Sequence, residues 1–329
     1  MSVIAIAGGT GKLGRSILDA LKAVGGHQVF VLAREVCQEP YPPYYQDISL
    51  RNAKEAQIGA KILAVDYTDV AALTRVLETN HIDTLISTIN SYDGTGPDMM
   101  LIDAAEKSEA TKRFIPSQWG IAYTKEILEI FPKGRGKMEV AARLEDSPLE
   151  WSSINIGFFA DYFLNSRVPS YLQPMPLFLD ISSNVAAIPG DGNTPVALTH
   201  STDVAAFVAR LVGAPAGTWS RASVVVGDKV TFNQLLHLVE SAKGTKFAVS
   251  YDSVEALRKG EMTELPGHVG MYRFMPKPML RSMFAAFGIM FASGLLDVKT
   301  DEAEESLNRR FTEMKTKSMK ELVDAAWKE

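Results

Sequence analysis

The fold is decided by residues 3–14, which read VIAIAGGTGKLG. Their first part, Val3–Ala7, is a short apolar run of the kind that is typical of a buried strand. The remainder holds three glycines in a G-x-x-G-x-x-G spacing, and a helical pattern follows over Arg15–Val24. A strand, a glycine-rich turn and a helix in this order form the context in which such a motif binds a dinucleotide.

Each glycine of this turn has a predicted physical role. Gly8 can take the tight turn off the strand, Gly11 lets the backbone approach a pyrophosphate, and Gly14 permits close packing of helix on strand. The helix N-terminus adds unpaired N–H groups and the positive end of a dipole. The alternative is a glycine-rich turn that binds no ligand. The residues predicted to bind the cofactor here are Gly8, Thr10, Gly11, Lys12, Leu13 and Gly14.

Strand-like and helix-like patterns alternate through the first half of the chain. The runs predicted as strands are Val3–Ala7, Val29–Ala33, Ile62–Val65, Leu85–Ser87, Phe114–Ile115 and Trp151–Ile156. Between them, Asp69–Thr79 is predicted as a helix with Val70, Leu73 and Leu77 on one face. The alternation predicts an α/β protein with a doubly wound parallel sheet of the Rossmann type. We predict a cofactor domain over 1–156 and a smaller, less regular substrate-binding region over 157–329, with the chain crossing between them.

The end of the second strand indicates which dinucleotide binds. NAD-binding units place an acidic residue there, about 20 residues beyond the glycines. This chain has Arg34 instead, and a guanidinium suits a 2′-phosphate through charge and paired hydrogen bonds. Lys12 could add a second cation, while a solvated surface arginine is the alternative reading. The sequence therefore favours NADP(H) over NAD(H).

Two later strand ends are predicted to border the same cofactor, because ligands of such sheets lie at the carboxyl ends of the strands. Ser87, Thr88, Ile89 and Asn90 come at the end of the fourth strand, and Ser117 follows the fifth. Asp66 follows the third strand, where it could approach the adenine or cap the next helix.

The chain resembles the NmrA-like, isoflavone reductase-like group of atypical short-chain dehydrogenases, especially its fungal members. The matching residues are Gly8–Gly14, Val31–Arg34, Arg113–Gly120, Lys137, Gly157–Tyr162, Pro189–Asn193, Asp203 and Val226–Phe232. Reductases of this group use NADPH on aromatic, often phenylpropanoid-like molecules. The resemblance therefore implies reduction of a bulky aromatic or heterocyclic small molecule, as in secondary metabolism.

The resemblance also implies that Lys137 lies against the cofactor near the nicotinamide and has a catalytic role. Its ammonium could donate a proton or stabilise a developing oxyanion. The alternative is a solvated helix lysine like Lys133, one turn earlier. The Tyr-x-x-x-Lys pair of the wider superfamily is absent, because Lys133 occupies its tyrosine position and Tyr123 lies too far upstream. Gln118 replaces the acidic residue of the Pro-Ser-Glu stretch. Both departures leave the proton donor open.

Aromatic and methionine side chains are predicted to form the remaining contacts. Phe158 and Phe159, after the sixth predicted strand, could pack against the nicotinamide. A Met- and Phe-rich segment lies within Arg258–Leu296, and it could pack in the core or line a pocket that adapts to a bulky substrate. The residues predicted to contact substrate are Trp119, Phe159, Tyr162, Met271, Phe274 and Met279.

Three features of the second half predict local structure. Pro189–Asn193 is a dense turn signal that joins two strands. Ser201 and Thr202 could cap a helix whose Val204, Phe207, Val208 and Leu211 share a face. Met283–Leu296 is apolar but shorter than the roughly 20 residues that a membrane-spanning helix needs, so we predict a buried or pocket-lining helix.

Composition narrows the class of protein. The net charge of −5 gives no electrostatic reason to expect nucleic acid or an anionic membrane as a partner. The single cysteine, Cys37, and the absence of a targeting pattern favour a reducing, cytoplasmic setting. The five histidines show no metal-ligand spacing, so no metal is expected. The partners expected are a small aromatic substrate and, if the chain is not a monomer, a second copy in a homodimer.

Three functions remain open from the sequence. The first is an NADPH-dependent reductase assisted by Lys137. The second is a redox sensor of the NmrA type that binds NADP(H) without turning it over. The third is an enzyme in which bound NADP(H) shapes a pocket for non-redox chemistry such as cyclisation, since positioning alone can accelerate a reaction strongly.

Overall fold

The computed structural model describes residues 2–34, 51–89, 96–299 and 305–328. Up to residue 155 its elements are β1 (Ser2–Ala7), α1 (Lys12–Val24), β2 (His27–Arg34), α2 (Arg51–Ile58), β3 (Lys61–Val65), α3 (Val70–Thr79), β4 (Thr84–Ser87), α4 (Gly96–Lys107), β5 (Arg113–Ile115), β6 (Trp119–Gly120), α5 (Lys125–Ile130), α6 (Arg135–Glu145), β7 (Glu150–Trp151) and β8 (Ser153–Asn155). They continue with β9 (Phe158–Phe159), β10 (Leu179–Asp180), β11 (Val185–Pro189), β12 (Val196–Thr199), α7 (Ser201–Val212), β13 (Ala222–Val224), β14 (Asp228–Val230), α8 (Phe232–Lys243), β15 (Ala248–Asp252), α9 (Val254–Arg258), α10 (Pro266–Met271), α11 (Lys277–Ala292), α12 (Leu307–Arg310) and α13 (Met319–Trp327).

A parallel sheet organises the first part of the chain, with its strands in the order β3-β2-β1-β4-β5-β7. β1 lies between β2 and β4, so that Ala7 stands opposite Leu32 on one side and Ser87 on the other. The strand order reverses direction beside β1. In sheets of this kind a ligand binds outside the carboxyl ends of the strands at such a point. The predicted α/β class and doubly wound sheet are confirmed.

Local sequence explains the elements that flank this sheet. Ile4–Ala7 is fully buried on both faces, as expected for a central parallel strand. In α3 the predicted face is confirmed, with Leu73 and Leu77 buried. The suggested cap by Asp66 is wrong: Asp69 caps α3 by accepting from Ala72 N at 2.9 Å. Asp66 instead closes a local turn by accepting from Thr68 N at 2.8 Å, which occupies its carboxylate before the helix begins.

The described residues form two compact units. The first lies within Met1–Gln118, Arg135–Ser153 and Ala205–Ser223, and the second within Trp119–Gly134, Ile154–Val204 and Val224–Glu329. This division differs from the expected boundary at residue 156. One reason is Arg113 of β5, whose guanidinium donates to the carbonyls of Val212 and Ala214 at 3.1 and 3.0 Å and so holds a late segment in the first unit.

The predicted strand Trp151–Ile156 is wrong as a single element. Its first part is β7, which pairs with β5, and its second part is β8, which pairs with β6. The change of partner falls at Ser152, whose N–H still donates to Phe114 O at 3.2 Å. Hydrophobic periodicity reports burial along one strand and does not show where the partner strand changes.

The second unit contains short sheets and a large apolar core. Its sheets include β10-β11-β15 and β14-β12-β9. The predicted turn at Pro189–Asn193 is confirmed, since it joins β11 to β12 and places Gly190 and Gly192 at positive φ. Aromatic rings meet edge to face in this core, for example Phe178 and Phe291 at a centroid distance of 5.4 Å. Such contacts stabilise beyond the area that they bury.

Two helix predictions from the second half have different outcomes. The cap by Ser201 or Thr202 is wrong, because α7 already begins at Ser201 and His200 O accepts the first helical bond, from Val204 N at 3.0 Å. The Ser201 hydroxyl is instead committed to Asp161. The predicted apolar face of α7 is buried. Most of the predicted helix Met283–Leu296 is also buried, and it belongs to α11 up to Ala292.

Candidate dinucleotide and lysine site

The glycine turn between β1 and α1 has the predicted conformation. Gly8 has φ +76°, a region that favours glycine, and its carbonyl accepts from Gly11 N at 2.8 Å. The turn is further tied to the sheet by Gly9 N, which donates to Ile6 O at 3.2 Å. The backbone therefore leaves the strand and enters the helix within a single hydrogen-bonded turn.

Gly14 packs against the turn more closely than any side chain would allow. A Cβ on Gly14 would lie 2.5 Å from Gly8 O and 2.8 Å from Thr88 Oγ1. Thr88 is itself fixed, because its hydroxyl donates to Ala7 O at 2.9 Å. The predicted close approach is therefore made to the turn and to Thr88, and the Thr88 side chain supports the turn from the next strand.

The N-terminus of α1 has the features of an anion site. Its N-cap residue, Gly11, is extended, and no side chain within the described part of the chain caps it. Gly11 and Lys12 are exposed, while Thr10 and Leu13 are half-buried. The N–H groups of a first helical turn bind phosphate oxygens readily when no side chain satisfies them.

Arg34 ends β2 beside Val65 of β3, and it is exposed. Tyr67, directly after β3, is buried and donates from its hydroxyl to Leu32 O at 3.0 Å. Burial raises the pKa of Tyr67 above its ordinary value, and the Gly8 backbone and the Arg34 charge oppose this rise. Tyr67 thus links the ends of β2 and β3 to the glycine turn.

Lys137 lies on α6 and is 8% exposed, so the alternative of a solvated lysine is wrong. Its Nζ donates to Ser117 O at 2.5 Å, and Gln118 Nε2 donates to Lys137 O at 2.5 Å. Ser117 and Gln118 follow β5. These two bonds place the ammonium at the carboxyl edge of the parallel sheet, where the glycine turn also lies.

A buried carboxylate accompanies this lysine. Asp98 lies in the first turn of α4, is 2% exposed, and accepts from Ser87 Oγ at 2.5 Å. Burial raises the pKa of Asp98 to about 6, while the Ser87 bond and the Lys137 charge act in the opposite direction. Burial likewise lowers the pKa of Lys137 to about 8, against the Asp98 charge. Perturbed pairs of this kind are frequent at functional sites.

The predicted contacts at residues 119–162 fall in the second unit. Phe159 is buried and meets Tyr162 edge to face, with ring centroids 6.0 Å apart. Phe158 is half-buried and packs against Phe291 at 5.1 Å. Trp119 is half-buried in β6. Their predicted roles toward cofactor and substrate stay predictions.

The Met- and Phe-rich segment divides between core and surface. Phe284 is fully buried, and Met271 is half-buried against the core of the second unit. Phe274 and Met279 are 59% and 47% exposed. The segment therefore contributes to packing and also presents large apolar side chains to solvent.

Some sequence predictions fall elsewhere. Asn90 and Cys37 lie outside the described residues. Across the described ranges no helix has the length and apolar character needed to cross a bilayer. Within the same ranges, no group of three or more His, Cys, Asp or Glu side chains is placed to hold a metal ion.

Comparison with known proteins identifies the family. The model of the NmrA-like family matches residues 1–325. An oxidoreductase of Metarhizium robertsii, swnN, is 30% identical over 99% of this chain and 98% of its own length. The chain belongs to the NmrA-like family.

Solved structures share the fold of this NmrA-like chain. The complex of leucoanthocyanidin reductase from Vitis vinifera with NADPH superposes with a TM-score of 0.72 at 20% identity, covering 98% of each chain. AtPrR2 with NADP⁺ and (+)pinoresinol gives 0.71 at 19% identity, also covering 98% of each. At these identities the likeness shows the fold.

Sequence reasoning missed several residues of this NmrA-like site. Gly9 is required because a Cβ there would lie 2.8 Å from Val31 Cγ2. Asp98 and Tyr67 were not singled out either, although the Asp98 charge acts on Lys137 and Tyr67 contacts the Gly8 backbone. Tyr67 follows a predicted strand, which is a weak signal. Asp98 on a helix carries none, because its partner Lys137 is distant in sequence.

Proposed function

We propose that this protein is an NADPH-dependent reductase of a bulky aromatic or heterocyclic small molecule, in which Lys137 assists hydride transfer. The broader class, an oxidoreductase, is that of swnN, with which the chain aligns almost end to end, and reductases of the same fold are known in complex with NADPH or NADP⁺. The observation that carries the proposal is the buried Lys137, held by Ser117 O at the sheet edge that also bears the glycine turn.

The residues of the first unit fit the dinucleotide. Cβ atoms at Gly8 or Gly14 would collide with Thr88 Oγ1, so this close backbone packing depends on glycine. The uncapped start of α1 suits the pyrophosphate, and the exposed Arg34 suits a 2′-phosphate. When bound, NADPH supplies the hydride.

Lys137 supplies the positive charge that such a reduction needs. An ammonium carries three N–H donors, so the bond to Ser117 O is compatible with donation to a substrate oxygen. Its pKa of about 8 lies close to neutral pH, where a general acid works best. In a site that excludes water, a fixed ammonium also stabilises developing negative charge more strongly than in solution.

The substrate residues are proposed from the second unit. Trp119, Phe159 and Tyr162 offer aromatic surface, and Phe159 and Tyr162 already contact each other. Met271 and Met279 add flexible side chains that adapt to irregular shapes, and Phe274 adds a further aromatic ring. A related structure that contains (+)pinoresinol supports the choice of an aromatic substrate.

The test follows the hydride itself. Purified protein is incubated with aromatic and heterocyclic carbonyl compounds, enones and benzylic ethers, using NADPH that carries deuterium at its transferable position. We expect mass spectrometry to detect deuterium on a product carbon. We expect no deuterated product from Lys137→Met, which keeps the length of the side chain without its charge. Tight NADPH binding with no consumption across the panel would favour the sensor, and an unlabelled product would favour non-redox chemistry.

A further inference from the structure

Asp98 is a buried acid whose carboxylate is held by a residue of the neighbouring strand. It lies on the first turn of α4 and is 2% exposed. Ser87, at the end of β4, donates to its Oδ1 at 2.5 Å. A bond donated to a carboxylate favours the charged form, and it fixes which way the group points. The carboxylate therefore has a defined position at the end of β4.

The hydrogen bonds between Lys137 and the residues that follow β5 involve neutral groups. Ser117 contributes a carbonyl oxygen, and Gln118 contributes an amide that bonds to the Lys137 carbonyl. A buried ammonium is costly unless a negative charge compensates it. Asp98 lies on α4, which packs against α6. β4 and β5 are neighbours in the sheet, with Ile86 opposite Ile115, so Ser87, which binds the Asp98 carboxylate, and Ser117, which binds the Lys137 ammonium, come at adjacent strand ends.

We propose that Asp98 is a positioning residue for Lys137. The Asp98 carboxylate, fixed by Ser87, keeps the buried Lys137 ammonium charged and in the position that Ser117 O defines. Ser87 is the support of this arrangement, since it anchors the carboxylate. The inference rests on the proposed function only where it connects this charge to catalysis.

Reciprocal charge effects support the arrangement. The Lys137 charge lowers the pKa of Asp98 against the effect of burial, and the Asp98 charge raises the pKa of Lys137 against the same effect. With values of about 6 and about 8, both groups are charged over the interval between them. Removing the carboxylate therefore leaves burial unopposed at Lys137, so the amine loses its proton at a lower pH.

The test measures the Lys137 amine directly and requires no substrate. The full-length protein is acetylated with trace acetic anhydride across a pH series, and the labelling rate of the Lys137 peptide is read by mass spectrometry. We expect a midpoint near pH 8 in the parent protein and a midpoint lower by about one pH unit in Asp98→Asn. Asn keeps an oxygen that can accept from Ser87, so the change mainly removes charge.

A matched control lies on the same helix. Asp103 of α4 pairs with Arg143 at 3.0 Å. Asp103→Asn removes the same charge, and it should leave the Lys137 midpoint within about 0.3 pH units of the parent. An unchanged midpoint in Asp98→Asn, or an equal shift in both variants, overturns the proposal. If circular dichroism shows that Asp98→Asn does not fold, the same labelling is measured in Ser87→Ala. We expect the Lys137 midpoint to shift in the same direction by a smaller amount.

Activity separates this inference from the proposed function. If Lys137 is the acid of the reaction, the alkaline limb of kcat/KM moves down in Asp98→Asn by the same interval as the labelling midpoint. A labelling shift without a kinetic shift refutes the catalytic role and leaves the positioning intact. A kinetic loss without a labelling shift contradicts the positioning role.

Discussion

The glycine turn and the lysine cluster occupy the same edge of one sheet, yet they are built in opposite ways. The turn is made by neighbours in sequence, Gly8–Gly14, and its backbone reaches solvent at Gly11 and Lys12. The lysine cluster joins Ser87, Asp98, Ser117 and Lys137, which are far apart in sequence, and its charges are buried. Local backbone geometry can be recognised from a motif, whereas a buried charge pair becomes visible only after folding.

Removing the lysine charge should have the largest effect. We expect Lys137→Met to lower kcat/KM by roughly 10² to 10⁴, the range for a general acid. NADPH affinity should change less than about threefold, because the turn is left intact. Steady-state NADPH consumption and calorimetry measure the two quantities. A loss of affinity equal to the loss of activity would place Lys137 in cofactor binding instead.

Filling the turn should disrupt cofactor binding almost as strongly. In Gly14→Ala the new Cβ meets Gly8 O at 2.5 Å, so the turn must shift. We expect roughly hundredfold weaker NADPH binding, about 2.7 kcal/mol. Gly270→Ala is the control, since Gly270 is also helical and its Cβ would enter open space. Equal affinities in both variants would show that the close packing is not needed.

Removing the exposed guanidinium should affect one dinucleotide selectively. Arg34→Ala should weaken NADPH by roughly tenfold to a hundredfold, because a hydrogen bond to a charged group contributes about 1.5–3 kcal/mol. NADH affinity should change less than about twofold, since it lacks the 2′-phosphate. Comparable losses for both dinucleotides would refute the assigned contact.

The pH profile of kcat/KM tests the buried lysine cluster. The pKa of Lys137 is lowered from 10.5 to about 8, so the ammonium required as acid is lost above that value. We expect kcat/KM to fall about tenfold per pH unit above pH 8, with NADPH affinity nearly constant over the same interval. A profile that stays flat to pH 10 contradicts an acid role for Lys137.

The folded pKa of Lys137 also has a consequence for stability. The pKa is lower in the folded than in the unfolded state, so the unfolded state binds more protons between about pH 8 and 10.5. By linkage, Lys137 makes the free energy of unfolding rise with pH in that interval. Lys137→Met removes this contribution, which urea unfolding at two pH values can measure.

Much of the sheet and the turn could be predicted from sequence. Val3–Ala7 and Ile62–Val65 are continuous apolar runs, which predict buried strands, and the glycine at position 8 predicts the turn. The prediction failed where the structure of a segment depends on its tertiary partners. Trp151–Ile156 divides because its two parts pair with different strands, and Asp66 lost the helix cap to Asp69 because Thr68 occupies its carboxylate.

The candidate site was predicted less completely. Lys137 was identified by resemblance, but its burial depends on α4 and on the strand end at Ser117. Asp98 could not be predicted, because a single aspartate in a helix reads as a solvated residue. The structural role of Tyr67 could not be predicted either, because it depends on the Leu32 carbonyl to which the hydroxyl donates.

The central claim is that the first unit binds a 2′-phosphorylated dinucleotide, and calorimetric titration of the purified protein with NADPH, NADP⁺ and NADH tests it most directly. We predict micromolar or tighter binding of NADPH and NADP⁺, with NADH at least about tenfold weaker. Binding of NADH as tightly as NADPH would contradict the role of Arg34. No binding of any of the three would contradict the account of the glycine turn itself.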